Sequence, residues 1–415
     1  MTTSLFTPLT LPNGSTLPNR IAKAAMEENL ADAGQLPGQA LWRLYAAWGA
    51  GGAGLLITGN VMIDARALTG PGGVVLDRNT PLEPFKRWAA TARQHGARIW
   101  MQINHPGRQV LAALRRHAWA PSAVPLDLGR HSKLFAEPQA MTAAEIHEVI
   151  ERFADTAVAA EAAGFDGVEI HAAHGYLISQ FLSPLTNRRN DEWGGSLENR
   201  ARLLLSVVRA VRARVGAGFG VAVKINSADF QRGGFSEYEA RQIVLWLNDQ
   251  AVDLVELSGG SYESPAMQGH TADGRTLARE AYFLTFARDI AAIAAMPVMT
   301  TGGIRRQSIA QTVLDEGVAV VGMASALASV PDLPNRWRDG QAVDASIAQV
   351  RWQDKAAAGF ATMALVKRRL RAITAGGHPR RCYSPVYSLV IDQIRTRKLT
   401  RRYRQWNGST AGDRP

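Results

Sequence analysis

Gly167-Val168-Glu169-Ile170-His171-Ala172 is a short, largely apolar run whose tail turns polar, and Ala173-His174-Gly175-Tyr176 carries the chain out of it. A run of this length that begins at a glycine reads as a buried strand. It is the fourth of eight. Residues 20–25, 55–63, 98–104, 220–226, 252–258, 297–302 and 318–322 have the same character, and longer segments of helical period follow most of them. Helix starts are recognisable between the runs. Thr142 with Glu145 and Ser236 with Glu239 fit the capping-box spacing, and Ser196 opens a segment whose Leu203, Leu204, Val207, Val208 and Val211 form one stripe. Eight strand-plus-helix units within roughly 340 residues predict an α/β protein built as a (β/α)8 TIM barrel, not an open doubly wound sheet. The largest surplus connection, residues 106–139, is predicted to cover or line the working site. Residues 1–340 form the barrel domain on this reading. Residues 341–415 form a helical, basic C-terminal extension, with helical stretches at 344–374 and 385–406 separated by Gly376-Gly377-His378-Pro379.

The balance of 46% hydrophobic and 20% charged residues in a chain of 415 is that of a folded protein with a large core. The lone Cys382 cannot form an internal disulfide, and it cannot supply the thiolates of an iron–sulfur cluster. A cluster-bearing reductase is thereby excluded. Residues 1–19 show no basic segment followed by an apolar run, and no stretch approaches the ~18 apolar residues of a membrane span. The expected location is the cytoplasm. The formal charge of +11 lies entirely in the tail, where thirteen Lys or Arg residues stand against Asp392 and Asp413 after residue 365. A nucleic-acid enzyme would carry its basic surface at the working site, so the body reads as an enzyme for small molecules with no nucleic-acid partner. The tail reads as a solvated basic appendage, or as a reversible contact for an anionic membrane surface or an acidic partner. Either a monomer or an oligomer is compatible with the sequence.

In such a barrel, chemistry gathers at the C-terminal ends of the strands. The polar residues follow that rule: Gln102 and His105 close the third strand, His171 the fourth, Lys224 and Asn226 the fifth, and Gly302-Gly303 and Gly322 the last two. His171 and His174 can face one mouth and donate hydrogen bonds to an oxygen that gains charge, with Tyr176 as a proton donor. A structural pair, a ligand-binding pair and a metal pair stand beside this reading. The metal is disfavoured because Glu169 and Ile170 face opposite ways and no third ligand stands out. Gly302-Gly303-Ile304-Arg305-Arg306 suits a phosphate held by backbone N–H groups, the bland alternative being a tight turn. Trp100 and Trp119 read first as packing residues, with contact to a flat substrate as the lesser reading, whereas Tyr262 reads equally as shaping the substrate pocket or as a surface loop tyrosine.

Residues 164–177, then Gln180-Phe181-Leu182-Ser183-Pro184, Asn187-Arg188-Arg189, Trp193-Gly194-Gly195-Ser196 and Glu198-Asn199-Arg200, resemble the signature of the Old Yellow Enzyme family of FMN-dependent NAD(P)H:flavin oxidoreductases. Leu17-Pro18-Asn19-Arg20, His105-Pro106-Gly107-Arg108 and Ser258-Gly259-Gly260 extend the resemblance from Leu5 to about Asp339. It implies FMN across the barrel mouth, with NADH or NADPH as hydride donor. Gly302, Gly303, Gly322, Met323, Ala324 and Ser325 would hold the phosphate. Ala25, Met26 and Glu27 would line the ring, Gln102 would bond its pyrimidine side, and Lys224 would stand at its negatively polarised edge. His171 and His174 would bind the oxygen of an α,β-unsaturated carbonyl, with Tyr176 protonating its α-carbon. Three positions depart from the family pattern. Glu27 replaces a Thr, Ser or Cys donor, Lys224 replaces an Arg, and Ser325 replaces a phosphate-binding Arg for which Arg305 or Arg306 would compensate. The alternatives are a family NADH oxidase or demethylase-like enzyme with another acceptor, and a non-catalytic FMN or small-ligand binder.

Overall fold

The computed structural model describes residues 4–114, 118–266, 280–347, 350–380 and 382–410. Each of the eight apolar runs supplies a strand: β1 (Ile21–Lys23), β2 (Leu55–Ile57), β3 (Arg98–Asn104), β4 (Gly167–Ala172), β5 (Gly220–Asn226), β6 (Leu254–Ser258), β7 (Val298–Thr300) and β8 (Val320–Met323). All neighbours pair in parallel, and β8 returns to β1 with Val321 opposite Ile21, closing the barrel. Helices surround it, among them α1 (Gln39–Ala50), α2 (Glu83–Arg93), α3 (Ala143–Ala162), α4 (Leu177–Leu182), α5 (Leu197–Arg212) and α6 (Glu237–Leu247). Thr142 and Ser236 cap α3 and α6 with full capping boxes, and the Ser196 hydroxyl caps α5 by accepting from Asn199 N–H.

Strand alternation sorts the apolar residues into two cores. Outward positions such as Ile99, Val168, Ile170 and Val223 pack on the helices, while Ala22, Leu55, Ile57, Trp100, Ala222, Leu254, Met299 and Val320 fill the interior. An antiparallel hairpin, Leu9–Thr10 with Thr16–Leu17, sets Leu11 and Leu17 into the same interior cluster. Trp100 is 1% exposed at the centre of that plug. It has no part in binding a flat substrate. Gly167 and Gly220 sit side by side in register and make room for it, since a Cβ at Gly220 would lie 2.4 Å from the indole and one at Gly167 2.8 Å.

The long connection after β3 is organised by a short parallel pair, Ala118–Ala120 with Pro138–Ala140. Arg108 donates to the carbonyls of Val124 and Pro125 within it and ties it to the loop after β6 through Glu263 (2.5 Å). His105 is buried, accepts from Gly107 N–H at 3.1 Å and stacks on Trp119 at 16°. Burial holds its pKa down at about 4. The His105-Pro106-Gly107-Arg108 stretch and Trp119 therefore build the loop.

Two more helices of the shell, α7 (Leu284–Ala291) and α8 (Gln307–Asp315), follow β6 and β7, and after β8 come α9 (Ser325–Ser329), α10 (Leu333–Arg338), α11 (Lys355–Thr374) and α12 (Pro385–Thr410). The helix expected from residue 344 begins only at Lys355, where the Asp354 carboxylate caps it by accepting from Ala357 N–H. The extension is docked, contrary to the expectation of a solvated appendage. Arg369 is 2% exposed, Tyr403 is fully buried with its hydroxyl on Ala65 O, and Arg402 and Arg404 donate to the carbonyls of Ala31 and Ala113. Arg368 stacks on Tyr383 and Tyr387. Arg381, Asp413 and Arg414 lie outside the described residues. No helix among the described residues is long and apolar enough to cross a membrane.

Candidate active site

A cavity of about 320 Å3 opens at the C-terminal ends of the strands, within the range of small-molecule sites. Ala25, Met26, Glu27, Gln102, His171, His174, Tyr176, Lys224, Tyr262, Gly302, Gly303, Gly322, Ala324 and Ser325 all line it. Met323 does not. Gly322 faces the barrel interior, so alternation turns the next side chain outward, and Met323 packs in the helical shell.

His171 and His174 meet edge to face with ring centroids 5.0 Å apart, and Tyr176 packs on His171 at 4.8 Å. The Ala173 N–H donates to His171 Nδ1 at 3.2 Å, which places the proton of the neutral ring on Nε2 and makes that nitrogen a donor. Desolvation pushes both imidazoles well below their usual pKa, the neighbouring ring and Lys224 adding to it for His171 and Lys224 alone for His174. They are neutral donors at pH 7. His174 sits in the left-handed region, at φ 62°. Three contacts over-determine that conformation: its N–H to Asn226 Oδ1 (3.0 Å), its carbonyl from Gln109 Nε2 (3.1 Å) and its Nε2 with Ser258 Oγ (2.7 Å). Among the described residues no group of three His, Cys, Asp or Glu could hold a metal.

Tyr176 Oη lies 3.1 Å from Tyr262 Oη and 3.5 Å from Asn60 Nδ2. Burial, with the Glu27 carboxylate nearby, raises the pKa of Tyr176 above the ordinary phenol value. Tyr262 moves the same way. Glu27 accepts at Oε1 from Thr69 Oγ1 (2.7 Å) and Asn29 Nδ2 (3.0 Å), so this departure from the family pattern is anchored by two protein donors.

Beneath the imidazoles lies a polar layer of the barrel. Lys224 Nζ is 2.6 Å from Glu256, and Gln102 Nε2 donates to Glu169 Oε2 at 2.5 Å. Among the described residues Glu169 Oε1 and Glu256 Oε2 have no donor, and a proton shared between the two carboxyl groups would satisfy both. Burial and then the Glu256 charge raise the Glu169 pKa well above the carboxylate range. The sign follows from linkage: the folded chain keeps a proton that the unfolded chain releases near pH 4.5, so stability falls as pH rises through the folded-state value. Glu169→Gln carries a permanent neutral group there. The expected result is a urea midpoint that declines less between pH 5 and 9 than in the parent, and parallel curves would refute the shared proton.

At the opposite side of the cavity, Gly302 and Gly303 have φ of 114° and 76°. A Cβ at Gly303 would come within 2.5 Å of the Tyr282 ring. Among the described residues, neither glycine N–H has a protein acceptor. Arg305 and Arg306, expected to compensate for Ser325, both turn their Nε to the buried Glu280, at 2.9 and 2.7 Å. Neither lines the cavity.

Sequence reasoning missed part of the wall. Asn60, Ser258, Tyr282, Phe283 and Thr301 belong to it, as do Thr362, Met363, Val366 and Lys367 of α11. The loop residues follow from strand ends; no local pattern announces that a distant helix folds back. Conversely, the densest part of the matching motif is architectural. Asn187 bonds the carbonyls of Phe181 and Trp193, Arg189 those of Pro121 and Met141, and Arg200 that of Leu182 and the Glu239 carboxylate.

Residues 4–344 match the model of the NADH:flavin oxidoreductase / NADH oxidase family. The NADH-dependent flavin oxidoreductase iliE of Hypocrea jecorina is 38% identical over 349 residues, covering 79% of this chain and 87% of that protein. The NADPH dehydrogenase of Bacillus subtilis is 32% identical over 328 residues, covering 77% and 89%. Among solved structures, the old yellow enzyme homologue from Zymomonas mobilis superposes with a TM-score of 0.70 at 26% identity, covering 82% of this chain and 94% of that one.

Proposed function

The chain belongs to the NADH:flavin oxidoreductase / NADH oxidase family and is an FMN-dependent oxidoreductase of the Old Yellow Enzyme type; from that premise we propose that it reduces an electron-poor alkene, an α,β-unsaturated carbonyl, with hydride drawn from NADH or NADPH. The observation that carries the reading is the convergence of two neutral imidazoles and an un-ionised phenol at one end of the cavity. A carbonyl oxygen that gains negative charge as its β-carbon accepts hydride asks for neutral donors, and the α-carbon then asks for a proton. His171 Nε2 meets the first need and Tyr176 Oη the second.

The cavity also suits FMN. Gly302 and Gly303 offer N–H groups that have no acceptor among the described residues and could hold a phosphate. Ala24, Ala25 and Met26 offer a flat apolar wall for a ring. Gln102, its amide N–H committed to Glu169, keeps a carbonyl oxygen as acceptor, and Lys224 brings a cation tempered by Glu256. A bound FMN would supply the hydride-transfer chemistry that links the nicotinamide to the acceptor. The protein's own groups bind the carbonyl, hold the phenolic proton and exclude water.

The test is an anaerobic titration of the purified protein. Bleaching of the flavin absorption by NADH or NADPH and its return with cyclohexenone is the expected result. Bleaching that only dioxygen reverses would reject the alkene as acceptor and favour the NADH oxidase reading.

A further inference from the structure

A flavin phosphate carries between one and two negative charges at neutral pH, and a site that holds it gains most from charge-assisted donors. The turns after β7 and β8 bring none. Ser325 is uncharged, and Arg305 and Arg306 are spent on Glu280. Among the described residues lining the cavity the only cations are Lys224 and Lys367. Lys224 is held inside the barrel by Glu256 at 2.6 Å. Lys367 stands on α11, which packs against α9 (Ser325–Ser329), the helix that begins at the position of the missing Arg. Thr362, Met363, Val366 and Lys367 are spaced to share one helix face, and that face forms a wall of the cavity. Among the described residues the one carboxylate paired with Lys367 is Asp392, at 3.9 Å, and Arg371 lies closer to it, at 3.4 Å. Two cations on one carboxylate leave one positive charge over.

We propose that Lys367 is the phosphate-binding cation of the FMN site, so that the C-terminal extension completes the cofactor site from outside the barrel. The proposal rests on the placement of FMN in this cavity. Lys has the reach and the three N–H donors of a phosphate ligand, without the planar fork of Arg. It also gives the extension a reason to be docked: buried Tyr403 and the carbonyl contacts of Arg402 and Arg404 hold α12, and α12 backs α11.

The experiment compares FMN with riboflavin, which lacks the phosphate. Apoprotein is titrated with each flavin and followed by quenching of flavin fluorescence. Lys367→Ala is expected to raise the dissociation constant for FMN about 10- to 100-fold while that for riboflavin changes less than threefold; Lys367→Arg is expected to restore most of the FMN affinity. Retained riboflavin binding doubles as the check that the variant is folded. Unchanged FMN affinity in Lys367→Ala, equal losses for both flavins, or a loss confined to Arg305→Ala or Arg306→Ala would each overturn the assignment. Should the parent bind neither flavin, it is the placement of FMN that fails.

Discussion

His171→Ala is expected to slow alkene reduction by about 10²–10³-fold, the loss typical of one donor to a developing oxyanion, or about 2.7–4 kcal/mol. The Ala173 N–H fixes the His171 tautomer and leaves Nε2–H as the donor. The ring is 2% exposed and sits beside a second imidazole, so an alanine leaves a carbonyl oxygen without its partner in a desolvated site. Asparagine also presents an N–H, and His171→Asn is expected to recover part of the loss. His174 calls for different handling. Its φ of 62° disfavours alanine, whereas asparagine tolerates that region, so His174→Asn separates the missing imidazole from backbone strain. Because both imidazoles have pKa values pushed well below the usual 6.5, the steady rate is expected to be flat from pH 6 to 8. Stability carries the complementary sign: these rings contribute above the unfolded-state value and lose their contribution as pH falls below it. Rates for both single variants within threefold of the parent would remove the pair from the carbonyl site.

The barrel and the imidazole pair were legible because both are local. An apolar run of six residues with His at its end shows its own inward face, and eight such runs leave few ways to close a sheet. Trp100, read first as a packing residue, is one, and its lesser reading as a substrate contact falls. From the strand pattern it faces inward, but only the register of Gly167 beside Gly220 shows that it sits at the floor of the barrel, away from the mouth. Interactions distant in sequence were not legible. Nothing around Glu27 announces Thr69 as its partner, and nothing in Arg305 or Arg306 shows that Glu280 binds both. The tail is the plainest case. Its charge pattern reads as a solvated helix because composition cannot show that Arg402 and Arg404 will find carbonyls, or that Lys367 will reach the cavity. The stretch from Gln180 to Arg200 carried much of the family resemblance, yet its polar side chains chiefly clamp the turn between α4 and α5.

Tyr176→Phe is expected to reduce alkene turnover by about 10²–10⁴-fold, the range for a positioned proton donor, with nicotinamide oxidation in the reductive half-reaction within a few-fold of the parent. The phenol is 5% exposed and, among the described residues, hydrogen-bonded to Tyr262 and, loosely, to Asn60, so it is a proton donor held in one place at the cavity wall. Burial and Glu27 raise its pKa, so it remains a protonated donor throughout the ordinary working range, and the parent's turnover is expected to show no loss up to pH 9 from this group. Tyr262→Phe separates donor from support. It removes the 3.1 Å partner while leaving the Tyr176 hydroxyl in place, and a loss of less than about tenfold is expected. Running the reaction in D2O gives a readout that mere packing would not move. A phenol fixed against His171 at 4.8 Å delivers its deuteron to one face of the α-carbon, so the parent product carries a single configuration at that carbon. Tyr176→Phe leaves protonation to solvent, and the label should scramble between faces. A variant that keeps both its rate within threefold and its facial selectivity would assign the proton to another group.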